Sequence, residues 1–401
     1  MKGPLLIVPS LERGRGGGHL VRSLALLRGL RGEGREAFLY IPPGAPFGGE
    51  GGGDSAWYIR REEETVGQAW DFIILDRFRT PHKEFEAWAA RGPLIGIDEG
   101  GSRRNRFDFL IDLLPGPPGF SGANIFAPCL LPLPKNRRPS FLPARDLVPE
   151  DGKTQGGRPL KILVSFGMED PAGLTLPVVQ ALTFGKKYSG KEPPAPFPAE
   201  ITVLAGNDKT ATSSLPKAPG LRAFETIREL REHLAEYDLL ITHFGLTAFE
   251  ALHARLPVIL LSPGRYHENL ARRTFPVSAG RGKGRAAEIS RRIYRKDPRE
   301  GHFSGINFEF LKTLGEQCER AVRELDRLQA AEGTAAPQTL GELITAFTPL
   351  VPLSCPACGR GGRTNHRVLA RFPRRTYRQC PRCGMVYMLR TDPPPIEYET
   401  D

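Results

Sequence analysis

The chain has 401 residues, of which 40% are hydrophobic and 25% charged, values typical of soluble globular proteins with two or three domains. Every apolar run is shorter than a membrane span requires, and the first residues lack the apolar core of a signal peptide, so we expect a cytoplasmic protein. The formal net charge is +11, and the basic excess is concentrated in residues 265–300 and 352–401. Such segments attract phosphates, nucleic acid or acidic lipid, but a solvated basic surface is the simpler explanation.

The first predicted strand, Leu5 to Val8, leads into a glycine-rich loop and then a helix. Gly17 and Gly18 allow backbone N–H groups to approach a ligand, and the helix N-terminus adds partial positive charge. His19 and Arg22 are expected one helical turn apart near the mouth of this loop. The arrangement suits a phosphorylated or sugar-nucleotide ligand, although a plain glycine turn beside a surface histidine is an alternative that the local pattern leaves open.

Four more short apolar runs follow, separated by helical or irregular segments. This alternation predicts a parallel sheet covered on both faces, the doubly wound α/β arrangement. A proline-rich stretch without periodicity comes next, and we place a linker at residues 142–158. The predicted strands are Glu36–Ile41, Asp71–Leu75, Pro93–Ile97 and Asp108–Ile111.

The same alternation recurs after the linker. The chain therefore predicts two tandem α/β halves, residues 1–141 and 159–350, and a cysteine segment at 351–401. Ligands of open parallel sheets bind outside the carboxyl ends of the strands, so the cleft between the halves is the expected site. The predicted strands are Lys161–Phe166, Ile201–Leu204, Asp238–Thr242 and Pro257–Leu261, and the predicted helices are Thr226–Glu236, Leu246–Ala254, Arg285–Arg295, Phe308–Ala331 and Leu340–Phe347.

The segment Gly16–Leu26 resembles the Gly-His-x-x-Arg opening of the UDP-sugar hydrolases of pseudaminic acid biosynthesis and of related spore-coat polysaccharide proteins. Further similar segments follow in the same order, and together they extend over residues 1–275: Ile73–Asp76, Ile95–Glu99, Leu163–Gly167 with Asp170-Pro171, and Leu239–Thr242 running into Gly245. The resemblance implies the glycosyltransferase-B architecture of two Rossmann-like domains. It also implies an enzyme that hydrolyses a UDP-sugar or transfers its glycosyl group in surface-glycan or nonulosonic acid biosynthesis.

The resemblance further implies roles for individual residues. His19 matches the family's catalytic histidine, and an imidazole, which titrates near neutrality, is suited to activating a water or a hydroxyl. Glu250 matches the glutamate that accepts hydrogen bonds from the ribose hydroxyls. For Glu250 and Asn269 an ordinary surface position is the alternative. The other expected ligand contacts are Gly17, Gly18, Arg22, Gly167, Gly245, Thr247 and Asn269.

The sequence departs from this family between His243 and Thr247. The family has a glycine- and serine-rich phosphate cradle there, whereas this chain has two bulky residues and no serine. Phe244 is expected to narrow the pocket. The competing prediction is therefore a non-catalytic sugar-nucleotide fold that binds a partner through its cysteine segment and basic patches.

Two Cys-x-x-Cys-Gly knuckles, Cys355 with Cys358 and Cys380 with Cys383, lie near the end of the sequence. Each knuckle places two thiolates on one side of a tetrahedral Zn²⁺, and two knuckles make a closed, structural four-thiolate site. A redox dithiol is the alternative. Because the segment is short and rich in arginine, we expect zinc to supply its folding free energy and to be needed for the order of residues 352–390 only.

The cysteine segment is similar to the zinc ribbon that precedes certain class I SAM-dependent methyltransferases, but no methyltransferase body follows it here. The resemblance implies either a docking module for a protein partner or the front part of a longer or split product. The segment's arginines lack a stacking platform of several aromatic residues, which disfavours nucleic acid as the partner. No organic cofactor and no membrane span are expected.

Overall fold

The structure is a computed structural model, and it describes residues 2–12, 17–45, 55–114, 122–131, 133–141, 158–167, 170, 172–184, 199–206, 213–274, 278–296, 303–330, 339–348 and 351–391. The chain divides into two compact units. Unit 1 contains Met1–Glu12, His19–Leu131 and Thr334–Asp401, and unit 2 contains Arg13–Gly18 and Pro132–Gly333. The predicted linker lies outside the described residues except for residue 158.

Unit 1 is built around a parallel sheet. Its strands are β1 (Leu5–Pro9), β2 (Ala37–Tyr40), β3 (Tyr58–Ile59), β4 (Phe72–Asp76), β5 (Leu94–Ile97), β6 (Phe109–Asp112) and β7 (Ile125–Phe126). They lie side by side in the order β3-β2-β1-β4-β5-β6-β7. All residues of β1, β4, β5 and β6 are buried, because helices and loops cover both faces of such a sheet and the strands become continuous apolar runs. The five predicted strands are confirmed, and the two-residue strands β3 and β7 were not predicted.

Two helices follow strands of this sheet, α1 (Gly18–Gly32) and α2 (His82–Arg91). The buried face of α1 is formed by apolar side chains and two polar ones, Leu20, Arg22, Ser23, Leu26, Leu27 and Leu30. A buried arginine on a core-facing helix requires carboxylate partners. Arg22 therefore indicates a cluster of charged residues under α1.

Unit 2 contains a second parallel sheet. Its strands are β8 (Leu160–Ser165), β9 (Ala199–Leu204), β10 (Leu221–Phe224), β11 (Leu239–Thr242), β12 (Val258–Ser262) and β13 (Ser278–Arg281), in the order β10-β9-β8-β11-β12-β13. A separate antiparallel pair joins β14 (Tyr294–Lys296) to β15 (Phe303–Ile306). The four predicted strands are confirmed. The exposed β10 and the polar β13 escaped prediction because they lack a continuous apolar run.

The helices of unit 2 are α3 (Thr175–Phe184), α4 (Leu230–His233), α5 (Leu246–His253), α6 (Arg265–Thr274), α7 (Ala286–Ile293) and α8 (Phe308–Ala330). The predicted helix Thr226–Glu236 is wrong in its extent. Only α4 and a 3-10 turn, Leu234–Glu236, are helical there. Among the described residues, the helices fall short of the length and apolarity that a membrane span needs.

Both sheets reverse their direction of strand addition at one point. In unit 1 β1 lies between β2 and β4, and in unit 2 β8 lies between β9 and β11. After β1 the chain therefore continues toward one edge of the sheet, and after β4 it continues toward the other edge. The same reversal occurs between β8 and β11. Such switch points open a crevice at the carboxyl ends of the strands, where open α/β sheets bind ligands.

The C-terminal part of the chain packs in unit 1. Helix α9 (Leu340–Thr345) approaches α1 closely, and a Cβ on Gly341 would lie 3.0 Å from the Gly29 carbonyl carbon. Phe347 then packs edge-on against Phe72 of β4. The predicted division at residue 350 grouped α9 with the second half, whereas these contacts join it to the first.

The ribbon, residues 351–391, ends the described chain. It contains an antiparallel sheet of β16 (Arg367–Phe372), β17 (Arg375–Gln379) and β18 (Val386–Arg390). Each Cys-x-x-Cys turn closes with a glycine in the left-handed region, Gly359 at φ +67° and Gly384 at φ +72°. Other residues adopt this conformation only at a cost, so the glycines of the motif are required by the turn.

Candidate functional site

The first candidate site lies at the β1/β4 switch point of unit 1. His19 is on the first turn of α1, shortly after β1, and Asp76 is the last residue of β4. The imidazole Nδ1 of His19 lies 2.8 Å from Asp76 Oδ1. The His19 side chain is 17% exposed, whereas that of Asp76 is 1% exposed. A histidine at the surface is therefore oriented by a buried carboxylate.

The ionisation of Asp76 fixes which nitrogen of His19 carries the proton. Burial alone would raise the pKa of Asp76, but the Arg22 guanidinium and His19 hold it well below its usual range. An ionised carboxylate only accepts hydrogen bonds, so Nδ1 of His19 must donate to it. In the neutral ring the other nitrogen, Nε2, is then unprotonated and available to accept a proton.

Arg22 connects Asp76 to a second carboxylate. Its Nε donates to Asp76 Oδ2 at 2.9 Å, and its terminal nitrogens donate to Asp76 and Asp98. The two aspartates raise the pKa of Arg22 against the opposing effect of burial. Asp98 adopts a left-handed conformation at φ 50° and also accepts from the backbone N–H groups of Leu113 and Leu114 at 2.7 Å. This network fixes the orientation of the carboxylate that holds His19.

The structure gives Arg22 a different surrounding from the one expected. The prediction placed Arg22 at the mouth of the loop, facing a ligand. Its side chain is instead 4% exposed and pairs with two carboxylates. Arg22 lies on the face of α1 that packs against the sheet, and not on the face toward solvent. Of the two predicted loop glycines, Gly18 is exposed and Gly17 is buried.

Sequence reasoning missed Asp76 and Asp98 as site residues. Both follow apolar strand residues, and β4 and β5 are neighbours in the sheet. Carboxylates at the ends of adjacent parallel strands meet at the carboxyl edge of the sheet, where ligands bind. The two strand-end carboxylates could therefore have been found in the sequence. Nothing in the sequence, however, identified Arg22 as the helix residue that pairs with both of them.

The second candidate site lies at the β8/β11 switch point of unit 2. Gly167 follows β8 with φ +91°, and Gly245 precedes α5. His243, which sequence reasoning treated only as a departure, joins the two loops. Its Nε2 lies 3.0 Å from the Phe166 carbonyl oxygen and its Nδ1 lies 2.8 Å from that of Phe244. Carbonyl oxygens only accept, so a ring nitrogen of His243 must carry a proton to bond to either of them.

Phe244 does not have the position expected for it. The prediction had this ring narrowing a pocket, but its side chain is 4% exposed and packs edge-on against Phe249. Phe244 therefore belongs to the hydrophobic core. Thr247, on the first turn of α5, is partly exposed.

Glu250 and Asn269 have contrasting environments. Glu250 is on α5 and is partly buried, and the desolvation of its carboxylate raises its pKa to about 7. Asn269, on α6, is exposed. The residue of α6 that reaches the switch point is His267, whose ring packs edge-on against His243 with 5.8 Å between centroids. Sequence reasoning selected the neighbouring Asn269 and missed His267.

The four knuckle cysteines form one cluster. Their Sγ atoms all lie within 4.8 Å of one another. Two of the separations are 3.6 Å, between Cys355 and Cys383, and 3.7 Å, between Cys358 and Cys380. Tetrahedral coordination with metal–sulfur bonds of about 2.3 Å requires sulfur–sulfur distances of about 3.8 Å. The cluster therefore fits one tetrahedral metal ion.

The ribbon is joined to unit 1 through a buried carboxylate, Asp108, which immediately precedes β6. Arg363 and Arg378 of the ribbon both donate to the Asp108 carboxylate, and Arg371 and Thr376 donate to its backbone carbonyl. The side chains of Asp108 and Arg378 are both 0% exposed. Separating charges buried in this way leaves one of them uncompensated, so the ribbon is a structural part of unit 1.

Neither a protein-family model nor a curated protein matches this sequence. Solved structures with a similar fold include MurG of Acinetobacter baumannii, with 12% identity over 82% of this chain and 100% of that one, at a TM-score of 0.47. They also include a putative UDP-N-acetylglucosamine 2-epimerase from Listeria monocytogenes, with 10% identity over 85% and 99% of the two chains and a TM-score of 0.47. The spinosyn rhamnosyltransferase SpnG gives 14% identity, coverage of 82% and 96%, and a TM-score of 0.46. Similarity at this level does not identify a substrate.

Proposed function

We propose that the protein is an enzyme that acts on a nucleotide-activated sugar, a UDP-sugar, and transfers its glycosyl group to water or to a hydroxyl. The observation that carries this proposal is the His19–Asp76 pair at the carboxyl end of β4. A neutral imidazole held through Nδ1 by an ionised carboxylate is a general base that acts through Nε2. The sequence resemblance to UDP-sugar hydrolases supports the choice of substrate.

In the proposed reaction, His19 Nε2 takes the proton from the attacking water or hydroxyl. The oxygen forms a bond to the anomeric carbon of the sugar while the bond to the diphosphate oxygen breaks, and UDP leaves with the electron pair. Asp76 stabilises the imidazolium that results. Arg22 and Asp98 are positioning residues because they act on His19 only through Asp76.

The nucleotide is assigned to the switch point of unit 2. Glu250, when ionised, accepts from both ribose hydroxyls. The diphosphate is assigned to the glycine loops at Gly167 and Gly245, with Thr247 on the first turn of α5, where helix N-terminal amides favour anions. Asn269 keeps its proposed role beside the nucleotide or sugar only through the sequence resemblance.

Hydrolysis and transfer require the same base and the same leaving group, so they differ only in which acceptor reaches the sugar. The resemblance to pseudaminic acid hydrolases and spore-coat polysaccharide proteins favours a role in making a nonulosonic acid or a surface glycan.

A UDP-release assay tests the proposal. The protein is incubated with a panel of UDP-sugars, with and without hydroxyl acceptors, and free UDP is measured. We expect release from at least one sugar nucleotide by the natural protein and by His82→Ala, a variant of an exposed histidine in the same unit. We expect release by His19→Ala to be about 10²- to 10⁴-fold slower. If no UDP-sugar releases UDP, the protein is not this enzyme.

We also propose that the four-cysteine cluster holds one structural Zn²⁺. Four thiolates form a closed site with no open position for substrate. Cys355, Cys358, Cys380 and Cys383 would be the ligands, and the metal would supply folding free energy to the ribbon. Elemental analysis should give one zinc per chain, and Cys380→Ser should reduce it.

A further inference from the structure

A groove of about 700 Å³ lies in unit 1 between the ribbon strand β16 and the turn Arg104–Arg106. It touches every ribbon residue from Thr364 to Arg371. Successive side chains of a strand point to opposite faces, so a groove that touches consecutive residues runs along the edge of the strand. Within the part of the chain that the structure describes, β16 pairs with β17 alone. Its other edge offers backbone N–H and C=O groups to a further strand.

The groove is lined by positive charge. Arg103, Arg106, Arg367 and Arg371 line it, and its described lining includes no aspartate or glutamate. Arg367 is exposed. Burial, followed by the nearby guanidinium groups of Arg378 and Arg104, lowers the pKa of Arg371 to about 9. Several guanidinium groups crowded at one strand edge favour an anionic ligand.

Two buried polar atoms of the lining lack partners. His366 is 2% exposed, and its Nδ1 lies 2.7 Å from the Tyr387 hydroxyl. Its Nε2 has no hydrogen-bond partner among the described residues, and neither has Nε of Arg371. Both atoms are shielded from solvent, so a ligand in the groove would bond to the strand edge and to exposed guanidinium groups rather than to them.

We propose that an acidic segment of a partner protein binds along β16 as an added strand, with its carboxylates paired to Arg103 and Arg367. Strand addition supplies main-chain hydrogen bonds, and the planar guanidinium groups match carboxylates in a bidentate manner. The side chain of Leu369, which lines the groove and is 44% exposed, suits a peptide in which apolar and acidic residues alternate. A single-stranded nucleic acid would need stacked aromatic rings, and the described lining has none except the histidine ring.

Fluorescence anisotropy with the full-length, metal-loaded chain tests the proposal. The probe is a labelled peptide of alternating glutamate and valine. The comparison ligands are a lysine–valine peptide, the acidic peptide with every second backbone nitrogen methylated, an oligouridine and inorganic tripolyphosphate. We expect the unmodified acidic peptide to bind and to be displaced by high salt. The other ligands should bind at least about tenfold more weakly, because each lacks either the carboxylates or the backbone N–H groups that the proposed binding mode uses.

Charge reversal locates the binding. Arg367→Glu and Arg103→Glu should each weaken binding of the acidic peptide about tenfold or more. Arg375→Glu makes the same charge change at an exposed ribbon position that does not line the groove, and its affinity should stay within about twofold. Zinc content and circular dichroism establish that each variant is folded. The proposal is overturned if the acidic peptide fails to bind, if the methylated peptide, oligouridine or tripolyphosphate binds as tightly, or if Arg375→Glu weakens binding as much as Arg367→Glu.

Discussion

The switch points of the two units have the same strand order but different chemistry. In unit 1 the site is made of charged side chains, since Asp76, Arg22 and Asp98 form a buried network behind His19. In unit 2 the site is made mainly of backbone, since glycine loops follow β8 and β11 and His243 contacts two carbonyl oxygens. A network of fixed charges suits proton transfer, whereas a helix N-terminus, such as that of α5 after Gly245, suits the binding of an anion.

The carboxylates of the two sites differ in the same way. Arg22 and His19 overcome the effect of burial on Asp76 and lower its pKa, while Glu250 lacks a comparable partner and its pKa rises to about 7. Asp76 is therefore ionised at all ordinary pH values. Glu250 changes its charge near neutrality, so its ionisation can be coupled to ligand binding. In the proposed function, one carboxylate would therefore orient a base and the other would respond to the bound nucleotide.

The largest expected effect is that of His19→Ala. Loss of a general base should reduce turnover about 10²- to 10⁴-fold, while UDP affinity, measured by calorimetry, should stay within a few-fold because unit 2 is proposed to hold the nucleotide. The His82→Ala variant is the control. Normal turnover by His19→Ala would remove the functional distinction between the two switch points.

The next effect concerns the metal. Chelation, or Cys380→Ser, should release Arg363 and Arg378 from the Asp108 carboxylate and lower the free energy of unfolding of unit 1 by about 3–5 kcal/mol. Hydrogen exchange should therefore become faster in β5 and β6 and remain unchanged in β8 and β11. This outcome differs from the sequence expectation, in which zinc orders residues 352–390 only. If β6 is equally protected from hydrogen exchange with and without metal, that expectation is supported instead. As a control, adding zinc back should restore the protection of β6.

Asp76→Asn should reduce kcat no more than His19→Ala does, within the same range of about 10²- to 10⁴-fold. An amide can donate to Nδ1 of His19, which favours the tautomer with its proton on Nε2 and so removes the base. KM should change little, and the pH profile of kcat should lose its limb for the base. Asp71→Asn, which breaks a partly exposed pair with Arg35 at the other end of β4, is the control. A change in KM alone would show that Asp76 acts on binding.

The smallest effect is that of Glu250→Gln. It should weaken UDP binding by about 1–3 kcal/mol, and the affinity of the natural protein should rise with pH through about 7 as the carboxylate ionises. Folding raises the pKa of Glu250, so the folded protein favours the neutral carboxyl. The free energy of unfolding of unit 2 should therefore fall as pH rises from about 4.5 to about 7. The variant should lack this slope in urea titrations. Glu236→Gln, at an exposed position of unit 2, should retain it.

The fold was predictable where the sequence contains local patterns. Each central strand is a continuous apolar run, as in β4 and β12, because both faces of a parallel sheet are covered. The cysteine cluster was predictable because two knuckles with their glycines fix the ligand geometry locally. Strands without such a pattern were missed. The exposed β10 is one, and the two-residue β3 and β7 are too short to show a period.

The site was predictable only in part, because its decisive contacts join residues far apart in the chain. His19 follows a recognisable loop, but Asp76 is 57 residues away and the partner of Asp108 in the ribbon is 255 residues away. A carboxylate at the end of a strand has the same local appearance whether it caps a turn or pairs with a buried arginine. Three-dimensional packing alone distinguishes these cases, which is why Arg22 was assigned to a ligand and Asp108 to nothing.

The position of Asp108 has a consequence for biosynthesis. The ribosome makes this carboxylate 255 residues before it makes Arg363, and all of unit 2 after residue 131 is made in between. Unit 2 therefore has its full sequence before unit 1 does, although unit 1 begins the chain. The nascent first unit must keep an uncompensated carboxylate hydrated until the ribbon emerges. We expect the sheet of unit 1 to finish folding last, after unit 2 has folded.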